Sequence, residues 1–410
     1  MTSRSRFPRT ADVVVVGGGT IGAWCAWLLK RSGLDRVVLL ESATLGKGAS
    51  SRAAGMVRAQ GGTEVAVRLG MYARDFYSAQ QDLLGIDSGF VEQGYLMPSF
   101  TDAQVTEASG RIAMQRTLGL DVRWLDSDEV DAMNPAMAPG MTLGASYAPG
   151  DGYLDPPANV LAYTAALFTA GVEVYEHTTF AELILDGDAV RGVRTSRGDI
   201  ATDRVVLTGG PTLAAVGVAA GTRIPAGGVR HQVVVTEDHP DLAPERLPMV
   251  FDVASGIYWR PEEGGLMWGM SNPDETPGVA RAFDWTFYER MRQRIATLVP
   301  VTAELGLRRM WAATIDYTPD HLPILGPVLR DGAPVQGTVV ASAGGHGMMW
   351  GPGVSRVAAD LVLEGRTELI DATDLGLDRF DEHGRSRLAP DPIALPFPEA
   401  AAQPAAALAG

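Results

Sequence analysis

Residues 11–41 read ADVVVVGGGTIGAWCAWLLKRSGLDRVVLLE. The run 11–16 is short, apolar and β-branched, the pattern of a strand buried on both faces. Gly17-Gly18-Gly19-Thr20-Ile21-Gly22 follows, then residues 23–32 read as a helix whose end is marked by Gly33. A second apolar strand over 36–40 closes on Glu41. Strand, glycine turn, helix, strand and acid make one complete βαβ unit. In such a unit Gly17 permits the tight turn, Gly19 lets the backbone approach a pyrophosphate, and Gly22 allows close helix–strand packing. Thr20 and Ile21 open the helix, where free amides face phosphate charge. Glu41, with Ser42 behind it, is placed to accept hydrogen bonds from a ribose hydroxyl pair, and an acid there disfavours the 2′-phosphate of NADP. A glycine-rich structural turn is the bland alternative; the strand, helix and acid around the motif favour a dinucleotide.

Composition bounds the rest. The chain has 410 residues with 34 Lys+Arg against 49 Asp+Glu, a net charge of −15, which argues against nucleic acid or an anionic membrane as partner. One cysteine, Cys25, excludes a disulfide framework and a multi-cysteine metal site, and the six histidines show no metal-ligand spacing, so no metal is expected. No apolar run approaches the length of a membrane helix, and the basic start leads into glycines rather than a signal-peptide core. A cytoplasmic protein is expected. The 48 glycines cluster beside apolar runs, so their positions carry information.

Further along, residues 64–84, 102–118, 126–133, 156–170, 285–298 and 353–364 read as helices. Residues 172–175, 180–186, 189–195 and 203–208, punctuated by Asp-Gly-Asp and Arg-Gly-Asp turns, read as strands, largely an antiparallel meander. Strand patterns recur at 229–236, 256–260, 265–270 and 337–342. Beyond residue 385 the chain turns Ala/Pro-rich and reads as a tail. The fold class is α/β: a Rossmann-like dinucleotide domain with a mostly antiparallel-sheet substrate domain.

A nicotinamide dehydrogenase would continue with parallel strands. Here residues 46–55 form a small, hydroxyl-rich loop suited to a long bent cofactor, and the strand 204–208 ends in Gly209-Gly210, a second close backbone approach. With these features the chain resembles the D-amino-acid-oxidase-like FAD oxidoreductases, in the branch of sarcosine oxidase, dimethylglycine dehydrogenase and the proline dehydrogenase β-subunit. The resemblance covers about residues 10–375 in matching order. Besides the opening unit it rests on Asp151-Gly152-Tyr153-Leu154-Asp155-Pro156, Tyr258-Trp259-Arg260-Pro261, Thr318-Pro319-Asp320-His321-Leu322-Pro323 and Gly344-Gly345-His346-Gly347-Met348-Met349.

The resemblance implies FAD as cofactor. It places Ser50, Ser51, Arg52 and Ala54 beside the flavin, Phe180 at the adenine, and Gly345, His346, Gly347, Met348 and Met349 over the pyrimidine end. It makes Arg58 the holder of a substrate carboxylate, Tyr258 and His346 active-site residues, and the turn before the last helix a stabiliser of reduced flavin. His231 and Arg230 are candidates to reach the pocket, and Trp259, Trp268, Trp311 and Trp350 to wall it, unless they are core. Arg52 stands where dimethylglycine-type members carry a flavin-linking histidine, and Ala313 where monomeric sarcosine oxidases carry the linking cysteine, so noncovalent FAD is expected. Met267 and Met349 replace two lysines of the monomeric sarcosine oxidases, which points away from a simple sarcosine oxidase.

The expected division gives the FAD domain residues 1–75, 150–215 and 310–385, the substrate domain 76–149 and 216–309, and a tail 386–410. The expected reaction is oxidation of a C–N bond in a secondary or tertiary amine or amino acid, with O2 or another electron acceptor and a possible homo-oligomer or partner subunit. Alternatives are a D-amino-acid or glycine oxidase acting on a primary amine, or the flavoprotein subunit of a hetero-oligomeric dehydrogenase.

Overall fold

The computed structural model describes residues 7–243 and 247–396. Its first layer is a six-stranded sheet ordered Ile324–Gly326, Thr338–Ser342, Val205–Leu207, Val13–Val16, Val37–Leu40, Glu173–Tyr175. All neighbours run parallel except the edge strand Ile324–Gly326. The four consecutive valines explain themselves here. Val13 and Val15 enter the core on one face, with the helices Thr20–Arg31, Pro156–Ala170 and Gly351–Glu364; Val14 and Val16 enter the core on the other. That second face is covered by the antiparallel meander Phe180–Asp186, Ala189–Thr195, Gly198–Ala201. A strand sandwiched between two cores has no solvent face to advertise as alternation.

The second layer is an eight-stranded sheet ordered Leu307–Tyr317, Gly227–Thr236, Gly265–Met270, Ile257–Glu262, Met249–Asp252, Tyr95–Ser99, Gly144–Ala148, Arg123–Asp126. Only the contact between Met249–Asp252 and Tyr95–Ser99 is parallel. Its two faces separate by the period of two: Val234, Trp259 and Trp268 pack under the helix Trp285–Leu298, while Val233, Val235, Tyr258 and Met267 face the opposite way.

Several expectations need correction. Strand Leu307–Tyr317 pairs along Gly227–Thr236 from Leu307 opposite Thr236 to Tyr317 opposite Gly227. The chain therefore leaves the antiparallel sheet at Thr318, not at residue 310. Residues 386–396 are not a loose tail: Asp391 and Ile393 are buried. The remainder of the expected tail, 397–410, lies outside the described residues. The helix read over 64–84 breaks at Ala79 into Glu64–Ser78 and Gln80–Leu84, and the closing helix begins at Gly351 rather than 353. Among the described residues no helix is long and apolar enough to cross a membrane.

Candidate functional site

A cavity of about 790 Å³ runs from the glycine turn of the parallel sheet to the open face of the antiparallel one. At the first end, Gly17 has φ +102°, and a Cβ on it would stand 2.4 Å from Thr208 Oγ1. A Cβ on Gly22 would stand 1.9 Å from the Gly17 carbonyl oxygen, so the helix packs at a distance only glycine allows. Glu41 Oε2 accepts from the Gly18 amide at 2.8 Å, and its Oε1 accepts from the Ala43 amide at 2.7 Å and the Ser42 hydroxyl at 3.2 Å. Ser50 Oγ accepts from the Thr20 amide at 3.0 Å, so the loop 46–55 is held directly against the start of the helix at the cavity's edge. Arg52 donates to the carbonyls of Lys47 and Gly48, and its own carbonyl accepts from Trp311 Nε1. That pins the loop to the antiparallel sheet.

At the far end, Tyr258 and His231 lie side by side on adjacent regions of that sheet. Tyr258 Oη and His231 Nε2 are 2.7 Å apart, with rings stacked at 10° and centroids 5.5 Å apart. Burial pushes His231 down to about 4 and raises the tyrosine, so both are uncharged near neutrality. Which of the two donates follows the imidazole tautomer: a bare Nε2 accepts from the hydroxyl, and a protonated Nε2 donates to it. Arg58 is buried on the same wall, donating to the carbonyls of Gln60 and Ile393, its guanidinium 5.5 Å from the centre of the Phe251 ring. No carboxylate stands within salt-bridge distance of it among the described residues. Its segment is fixed by Asp151, which accepts from the Ala59 amide at 2.8 Å and the Gln60 amide at 3.3 Å and is pushed up to about 6 by burial.

Between the two ends, strand Thr338–Ser342 feeds a turn with Gly344 at φ +59° and Gly345 at φ +102°. His346 is buried against Trp350, ring centroids 3.9 Å apart, and desolvation, with Arg58 and His321 nearby, holds it well below its usual range. Tyr77 donates to the Met348 carbonyl at 3.0 Å. Ser342 Oγ donates to Asp316 and accepts from the Gly344 amide, each at 3.2 Å, which fixes the first residue of the turn.

These features fit a flavin dinucleotide. Gly17 and Gly22 allow the tight turn and close helix packing that bring the helix start to the cavity, an acid follows at the ribose position, and a broad cleft lies beyond. Residues 12–361 match the family model described as FAD dependent oxidoreductase. The chain belongs to that family. Among this FAD oxidoreductase's relatives, 4-methylaminobutanoate oxidase (formaldehyde-forming) of Paenarthrobacter nicotinovorans is 29% identical over 94% of this chain and 48% of its own length. Sarcosine dehydrogenase, mitochondrial, of Homo sapiens is 28% identical over 88% of this chain and 40% of its own length. The chain thus spans about half or less of these two relatives. Glycine oxidase of Geobacillus kaustophilus is 30% identical over 86% of this chain and 92% of its own length. In structure the oxidoreductase is similar to L-proline dehydrogenase from P. horikoshii, with TM-score 0.84 and 25% identity over 93% of this chain and all of that one.

The expected cofactor residues Gly17, Gly19, Thr20, Ile21, Gly22, Glu41, Ser42, Ser50, Arg52, Ala54, Phe180, Gly209 and Gly210 all line this one cavity, as do Gly345 to Met349. Ser51 does not. Arg58, Tyr258, His346 and His231 line it too, but Arg230 points to the other face of its strand, where Glu275 and Asp284 hold it. The four tryptophans do not wall it: Trp259, Trp268 and Trp350 are core, and Trp311 serves the loop through its indole N–H. Tyr95, Phe251, Asp316 and Leu395 line the oxidoreductase's cavity without having been singled out. Tyr95 and Phe251 sit on short strands with no strong alternation, and Leu395 falls in a stretch whose proline content reads as tail.

Proposed function

We propose that this chain oxidises the C–N single bond of an amine that carries a carboxylate, secondary and tertiary amines foremost, and releases an imine. The carrying observation is Arg58: a buried guanidinium with no carboxylate at salt-bridge distance among the described residues, with Asp151 and Asp391 acting on it only from farther away, facing a cavity that the uncharged Tyr258–His231 pair also lines. A buried cation of this kind calls for an anionic ligand, and its planar fork suits a carboxylate. Bound FAD would supply the two-electron acceptor for a hydride from a carbon bonded to the substrate nitrogen, the N-methyl carbon in an N-methylated amino acid. Arg58 fixes the carboxylate, and the Tyr258 hydroxyl orients the amine end. Burial keeps His231 and His346 neutral, so neither adds a positive charge to that of Arg58. The apolar wall of Met56, Val233 and Phe251 favours the uncharged amine, the form able to lose hydride. The turn 345–349 lines the cavity at the start of the last helix, where the helix dipole would favour negative charge on the reduced cofactor.

FAD is held without a covalent link in this reading, because Arg52 and Ala313 offer neither a histidine nor a cysteine. The cytoplasm is the proposed location, and O2 or a protein acceptor, with a homo-oligomer or partner subunit, completes the scheme. The likeness to glycine oxidase over most of that protein's length supports a second reading, a primary-amine substrate. Product analysis separates the two. An N-methylated amino acid oxidised at its methyl group yields formaldehyde after hydrolysis of the imine, whereas a primary amino acid yields ammonia. Formaldehyde as the main product supports the first reading; turnover confined to primary amines with ammonia release overturns it.

A further inference from the structure

Residues 391–396 cross the substrate end of the cavity, and two glycines make room for them. A Cβ on Gly62 would stand 2.1 Å from Asp391 Oδ1 and 2.7 Å from Pro392 Cδ. A Cβ on Gly256 would stand 2.6 Å from Pro396 Cδ. The seat is therefore shaped for this segment at both ends. The Asp391 amide donates to the Asp320 carbonyl at 3.0 Å, and Asp320 itself holds the buried Arg379 through two bonds of 2.7 and 3.0 Å. Asp391 Oδ1 accepts from the Ile393 amide at 3.0 Å, which turns the chain inward. Ile393 is then wholly buried among Met56, Tyr95, Phe251 and Tyr258. Its carbonyl accepts from Arg58 at 3.2 Å, and the Leu395 side chain reaches the cavity wall.

We infer that residues 391–396 are a built wall of the substrate site, in which the Ile393 carbonyl sets the guanidinium of Arg58 and Leu395 limits the bulk of the group that a bound carboxylate carries. This rests on the proposed role of Arg58 as a carboxylate anchor. Ile393 acts through Arg58 and is a positioning residue; Leu395 is a specificity residue. The segment's apolar and proline-rich composition follows from the task, since it must cross an apolar cleft while donating few amides to it.

The test uses the full FAD-loaded chain and three unreactive carboxylates, acetate, butanoate and phenylacetate, titrated against the visible absorption of the flavin. Leu395→Ala removes atoms without adding any. It should raise phenylacetate affinity relative to acetate by about tenfold, the scale of a methylene or more of pocket space. Gly62→Ala pushes Asp391 and Pro392 from their seat and should weaken all three ligands together by about tenfold, as expected for a misplaced charge-assisted anchor. Leu395→Ala with an unchanged size preference overturns the inference. So does a Gly62→Ala protein that retains FAD and full acetate affinity, or a wild type that binds no carboxylate. Carboxylate titrations that behave as expected while no amine is turned over would sink the proposed reaction and leave the wall standing.

Discussion

At the scale of the residue, the account turns on two kinds of buried polar group. Arg58 is a permanent charge, so its removal should be felt by the ligand's charge. Arg58→Met should raise KM for a carboxylate-bearing amine by about tenfold to a hundredfold, the range of a hydrogen bond to a charged partner. An analogous amine without the carboxylate should change little, and steady-state kinetics on the pair reads the difference. Burial disfavours the charged forms of His231 and Asp151, with opposite consequences for pH. Neutral His231, pushed down to about 4 from 6.5, gives stability that is full above 6.5 and is lost as pH falls toward 4. Asp151, raised from 3.8 to about 6, gives stability that is full below 3.8 and is lost as pH rises through 6. Urea midpoints at pH 4.5 and 7 should show His231→Phe less weakened by acid than the wild type, and Asp151→Asn more so. Both residues fell within reach of the sequence unequally. Asp151 stands in the Asp-Gly-Tyr-Leu-Asp-Pro motif, but only folding reveals that its partners are the amides of Ala59 and Gln60.

At the scale of the element, close packing sets what can change. Gly22→Ala would drive a methyl into the Gly17 carbonyl at 1.9 Å, and either the helix Thr20–Arg31 shifts or the turn opens. The purified variant should lose most of its FAD, measured as the ratio of flavin to protein absorbance. Asp151→Ala leaves two buried amides unpaired and should cost about 2–4 kcal/mol in unfolding free energy. Legibility at this scale followed burial. Val13–Val16 and Val37–Leu40 were readable because both faces are covered and the run is wholly apolar. Tyr95–Ser99 was not, because Pro98 sits inside it, a residue that ordinarily argues against a strand at the centre of a sheet. Arg123–Asp126, an edge strand with exposed charged ends, lacks alternation for the opposite reason.

At the scale of the whole molecule, the two sheets meet around one cavity, and the chain crosses between them repeatedly. That is why the division by residue number was hard to read. The break falls at Thr318, the first residue of a motif, and nothing in residues 307–317 says which sheet they join. The single cysteine is buried in the first helix, where desolvation keeps its thiol protonated and away from the cavity. With Arg52 and Ala313 at the two linking positions, acid precipitation should leave the yellow colour in the supernatant, and a yellow pellet would contradict noncovalent binding. The net charge of −15 gives a carboxylate substrate no long-range attraction, so binding must rely on Arg58 inside the cleft. The direct measurement is anaerobic mixing of the FAD-loaded protein with matched compounds while the flavin absorbance is followed. An N-alkylated amino acid should bleach the flavin, the same amine without its carboxylate should do so far more weakly, and the corresponding hydroxy acid should not bleach it. Bleaching by the hydroxy acid with none of the amines active would contradict the account.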